Sequence, residues 1–173
     1  MASARRVIRA GDWSGPAADT VLLDYEGRQR RRIALTGIGG TAFLLNLERV
    51  MGLRDGDALE LDDGRLIAVK AAPEPLHAVH AGDAHDLVRI AWHLGNRHLP
   101  TAIEGRRLLI RRDHVIVDML RKLGARVAEV TEPFRPEGGA YGTGTPLAHD
   151  HAPAPGGHPP GHGHGHGHGH GHG

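Results

Sequence analysis

A chain of 173 residues has room for one ordinary domain or two small ones, and a formal charge of +1 over 24% charged residues offers no global field to draw in nucleic acid or an acidic membrane. Cysteine is absent, which excludes a disulfide framework and any thiolate metal site, and with 3% aromatics the core has to be built from Leu, Ile, Val and Ala. No apolar run approaches bilayer length, and the opening "MASARRVIRAGDW" lacks the apolar stretch of a secretory leader, so the chain reads as soluble and cytoplasmic, with no membrane partner.

Residues 1–73 read as β structure. Val21–Tyr25 is a short strand. "RQRRRIAL", from Arg28 to Leu35, is a solvated edge strand guarded by its arginines. "GIGGTAFLLNL" is a glycine turn followed by an apolar strand. In "LRDGDALELDDGRLIAVKAA", Leu59 and Leu61 alternate with polar neighbours, and Asp62-Asp63-Gly64 is a hairpin turn between two strands. Several short strands with Gly and Asp turns predict a small sandwich or open barrel. Pro73 and Pro75 then form a stiff break, because proline suits neither a central strand nor a helix interior, and a domain boundary is placed there.

From Leu76 the pattern changes. "LHAVHA" is a strand. Asp83 is an N-cap with Asp86 in the first turn, and Leu87, Ile90, Ala91 and Leu94 form the i, i+3, i+4, i+7 stripe of an amphipathic helix. Gly95 or Asn96 supplies the left-handed residue that closes it, and Pro100 forbids its return. "TAIEGRRLLIR" is a hairpin turning at Glu104-Gly105. Asp113 caps a second helix with Ile116, Met119, Leu120 and Leu123 facing inward, Gly124 ends it, and "ARVAEVTEPF" is the last strand. The expected class is therefore α+β: a β-rich N-terminal domain, then a ferredoxin-like βαββαβ domain over residues 74–136. Such a sheet hides one face under two helices and leaves the other free for a partner. Residues 137–173, rich in Gly, Pro and His, have no periodic apolar residues and are expected to be disordered without metal.

Histidine is the anomaly. Nine of the fifteen (His149, His151, His158, His162, His164, His166, His168, His170 and His172) lie in the last 25 residues, mostly alternating with glycine. Neutral imidazole suits nickel, copper, zinc and iron, and a glycine-rich backbone lets imidazoles converge from many registers. Ordering each residue costs about 1–2 kcal/mol, so such sites bind loosely and exchange quickly. Imidazole coordinates only when neutral, so affinity should fall as pH drops through about 6.

Within the folded part, "AWHLGNRHLP" puts His93 and His98 five apart, about 140° around a continuous helix, too far to share an ion. A single exposed histidine becomes a site when a two-fold axis brings in its copy. His77 and His80 point to opposite faces of one strand. His85 is a solvated first-turn residue, and Asp113-His114 reads as a cap followed by a polar helix residue.

"WHLGNRH", "DHVIVDMLRKLG" and the terminal histidine tract, in this order after a "DGDALELDDG" hairpin, resemble the urease accessory nickel metallochaperones, the UreE family. The resemblance implies a partner-binding N-terminal domain and a homodimer through the second domain. It also implies that Ni(II) is held by His98 from each subunit, with the tail histidines completing or feeding that site. His114 is a lesser candidate, because Arg112 stands where some relatives carry a second histidine, and a permanent cation is a poor neighbour for a dication. Zn(II) and Cu(II) are further ions that imidazoles would take in vitro. The implied partners are the GTP-hydrolysing urease accessory protein and the urease apoprotein with its other accessory proteins.

No catalytic constellation is present: no HExxH helix, no GxSxG elbow and no P-loop, so the chain is not read as an enzyme. A zinc hydrolase would need three convergent ligands, which only the tail offers. An RNA reader built on Arg28, Arg30, Arg31 and Arg32 would need aromatic strand residues that the chain lacks. A metal store with no dedicated recipient is the alternative to delivery.

Overall fold

The computed structural model describes residues 1–138. The first 71 residues hold six strands: β1 (Ala2–Ile8), β2 (Asp19–Leu23), β3 (Arg32–Thr36), β4 (Ala42–Asn46), β5 (Ala58–Leu61) and β6 (Leu66–Ala71). One helical turn, α1 (Tyr25–Arg28), follows β2. The sheet order is β2-β6-β5-β1-β4-β3, with β1 parallel to β4 and β2 parallel to β6. Phe43, Leu45, Leu59, Ile67 and Val69 are fully buried within the curl of the sheet and form its core.

The two border strands almost meet, and Asp19 draws them together. Its carboxylate accepts the N–H groups of Gly39 (2.8 Å) and Thr41 (2.9 Å), from the turn between β3 and β4, and Ile38 N–H donates to the Thr20 carbonyl (2.8 Å). The N–H groups of Thr41, Gly39 and Thr20 hold the Asp19 carboxyl down at about 2, against the opposing effect of burial. Gly37 is required by the same closure, since a Cβ there would stand 2.4 Å from the Asp19 carboxyl carbon. The result is a nearly closed barrel, one of the two expected forms.

Three expectations for this half need correction. β1 lies between β4 and β5 but was not among the predicted strands, because its alternation breaks at a bulge between Ala4 and Arg6. The edge strand begins at Arg32, not Arg28: Asp24 accepts the Gly27 N–H (2.7 Å) and winds Tyr25–Arg28 into a turn of helix. Arg28 is 3% exposed, so it is not one of the solvated arginines. The predicted break at the prolines is instead the start of β7 (Pro73–His80). Pro73 and Pro75 are tolerated because that end of β7 pairs only with β10; its pairing with β9 starts at Leu76.

The second half follows the expected βαββαβ order: β7, α2 (Ala84–Gly95), β8 (Thr101–Glu104), β9 (Arg107–Arg111), α3 (His114–Lys122) and β10 (Arg126–Pro133). The sheet order β10-β7-β9-β8, antiparallel throughout, is that of the ferredoxin-like fold. Asp83 accepts the Asp86 N–H (2.8 Å) and Asp113 those of Val115 and Ile116, so both predicted caps are in place. Ile90, Leu94 and Leu120 pack against Val79, Leu108 and Ile110.

The opposite face of this sheet is not free. Phe134, fully buried, covers Leu76, Ala78, Ala102 and Leu109, with the Tyr25 ring of α1 edge-on to it at 5.5 Å. No single-domain reading of residues 74–136 could anticipate a cover that comes partly from α1. Among the described residues no helix is long and apolar enough to cross a membrane.

Candidate metal centre

His98 sits on an exposed turn between α2 and β8. The helix unwinds through Asn96 N–H to the Trp92 carbonyl (3.0 Å), Arg97 N–H to Leu94 (3.1 Å) and His98 N–H to Gly95 (2.9 Å). Gly95 remains helical and Asn96 is right-handed. The left-handed residue that reverses the chain is His98 itself, at φ 54°, the one non-glycine residue with positive φ among those described. A left-handed L-residue is disfavoured by about 1–2 kcal/mol, although histidine occurs there more often than most types. Arg97 donates to the His93 carbonyl (3.0 Å), tying the turn back to the helix.

The helix leading to this turn shows a surface that the sequence reading passed over. Val88 is 69% and Trp92 63% exposed, one helical turn apart. Two large apolar residues off the Leu87-Ile90-Ala91-Leu94 stripe were the available signal. The Trp92 and His93 rings meet edge-on at 5.0 Å.

His114 opens α3 and is exposed, 16 positions from His98 in the chain. It lines an open pocket of about 420 Å³ with His77, Asp118 and Glu129, and Arg112, also in the lining, makes a 3.2 Å ion pair with Glu129. His77 at its base is buried, and its Nδ1 has no hydrogen-bond partner among the described residues. Burial, then the nearby Arg112, push the His77 imidazole below its ordinary value, which favours the neutral ring. The pocket beside the His98 turn is different: about 210 Å³, floored by Leu99, Pro100, Ile110 and Ile116. Among the described residues no three His, Asp or Glu side chains come together as a metal cluster. His149, His151, His158, His162, His164, His166, His168, His170 and His172 lie outside the described residues.

Residues 4–72 match the family model for the N-terminal domain of the UreE urease accessory protein, and residues 74–172 match that for its C-terminal domain. The chain belongs to the UreE family. It is 60% identical over 141 residues to the urease accessory protein UreE of Bradyrhizobium sp. (strain ORS 278), covering 82% of this chain and 67% of that one. It is 54% identical over 153 residues to the UreE of Rhodobacter capsulatus, covering 88% and 95%, and 52% identical over 152 residues to that of Beijerinckia indica, covering 88% of each. Membership of the UreE family supports an accessory role in urease maturation.

Proposed function

We propose that this chain is a nickel metallochaperone that captures Ni(II) on histidines and hands it on for assembly of the urease active site. The observation that carries the reading is the His98 corner: an imidazole on an exposed, conformationally disfavoured turn, where the described residues bring no cluster of three His, Asp or Glu side chains together. Such a corner becomes a site when a second copy supplies its own His98. The exposed Val88 and Trp92 on the adjoining helix give two copies something apolar to bury as they meet. We assign residues 1–73 to partner binding, 74–136 to metal binding and dimerisation, and 137–173 to metal capture. His149 to His172 complete or feed the shared ion, and His114 is a secondary ligand at most, with Arg112 beside it.

Capture by imidazoles without thiolate favours release. The recipients in this reading are the GTP-hydrolysing urease accessory protein and the urease apoprotein complex, in the cytoplasm. The family resemblance supports nickel over zinc or copper, whereas raw imidazole affinity would put copper first. Calorimetry on the His98→Ala variant tests the site: the tightest nickel site should vanish while weaker tail binding persists, and an unchanged tight site would overturn the assignment. Metal storage without a recipient is the competing reading. Nickel-dependent co-purification with urease accessory proteins separates the two, because storage predicts none.

A further inference from the structure

The residues after β10 are fastened more firmly than a chain leaving a domain needs. Phe134 fills the slot on the face of the ferredoxin-like sheet opposite its two helices. The buried guanidinium of Arg28 donates through Nη2 to the Phe134 carbonyl. Arg135 Nε bonds Asp55 (2.8 Å), and Gly138 lies against the Arg54 guanidinium. Glu137 N–H donates to the Thr101 carbonyl (2.8 Å), on β8. Since β10 and β8 are opposite borders of the sheet, residues 134–137 take the chain from one border to the other. Thr101 is three residues beyond His98, at most about 11 Å along the chain.

We propose that residues 134–138 form a strap, with Arg28 as its positioning residue, that makes the His-rich tail depart beside the His98 turn instead of from the far border at β10. The proposal rests on the metal-transfer reading of His98. His149 follows Gly138 by eleven residues, a reach of at most about 36–40 Å, so a departure point close to His98 raises the effective concentration of the tail imidazoles at that ion. The strap's anchors Arg28, Arg54 and Asp55 belong to the barrel half, so both halves of the molecule fix that point.

The test uses the full chain with Arg28→Met, which keeps an apolar stem and removes the donor. Amide exchange at Glu137 should become about tenfold faster, and the tight nickel site about threefold weaker. Thr101→Cys with Glu137→Cys in the same background gives a rescue, because the natural chain has no cysteine to interfere. The oxidised protein, whose sulfurs are joined and so do not offer nickel free thiolates beside His98, should recover the tight site of the unaltered chain. An oxidised form that binds nickel no more tightly than Arg28→Met alone, or an unprotected Glu137 amide in the unaltered chain, overturns the strap. His98→Ala keeps the two questions apart: a tight site surviving that change sinks the metal reading, while Glu137 exchange still reports on the strap.

Discussion

Replacing His98 by glycine should remove a metal ligand and stabilise the fold together. At φ 54° the backbone of His98 lies where L-residues are disfavoured by about 1–2 kcal/mol. Glycine adopts that conformation freely but loses about 0.5–1 kcal/mol of extra chain entropy on folding. The difference leaves His98→Gly about 0.5–1 kcal/mol more stable, which in a domain of about 65 residues raises the melting temperature by about 3–6 °C. His98→Ala has neither histidine's local tolerance nor glycine's freedom and should melt below the parent. Asparagine, another residue that accepts left-handed φ, should fall between alanine and glycine. Thermal and urea unfolding of the four metal-free proteins give the order, and nickel calorimetry gives the ligand loss common to all three variants. Finding glycine and alanine equally destabilising would refute the argument from backbone geometry.

Other expectations follow from single features. Asp19 has its carboxyl lowered to about 2, so its contribution is complete above about 4 and disappears as pH falls from there towards 2. Asp19→Asn should be less stable at pH 7 and lose less over that acid range; parallel pH curves for the two proteins would contradict this. His77 is held below its ordinary value of 6.5 by burial and by Arg112 and Arg121, with Glu129 opposing. The unfolded chain then takes up the proton first, so metal-free stability should decline as pH drops below about 6.5, and His77→Gln should remove that component in urea titrations. Phe134→Ala empties a fully buried slot and should lose about 3–5 kcal/mol in the same assay, and a loss under 1 kcal/mol would mean the slot collapses or was never filled.

What the sequence disclosed was mostly local. Caps at Asp83 and Asp113, the Asp62–Gly64 hairpin and the two helical stripes are each set by neighbours within a few positions, and each is found in place. What escaped depends on residues distant in the chain. β1 carries few strong β-formers and is a strand because β4 and β5 flank it. The prolines of β7 are acceptable only because β9 stops short of them. Arg28 reads as part of a charged run, yet its partner is the carbonyl of Phe134, 106 positions away. The left-handed residue was sought at Gly95 or Asn96, where propensity points, and falls at His98. That misplacement is informative, since a protein that spends backbone energy on a histidine where glycine would serve has a use for the imidazole. The proposed metal site was approached through family likeness, because ligands that would come from a second chain or a distant tail leave no spacing to read.

The seam sealed by Asp19 also bears on how the protein should be handled. Protonating one carboxylate would unlatch two raw strand margins together, one carrying Leu22 and the other Ile33, both already at the surface. Open margins of that kind recruit strands from neighbouring molecules. Elution from a nickel column at about pH 2, where that carboxylate takes up its proton, should therefore yield cloudy fractions, whereas imidazole elution at neutral pH yields clear ones.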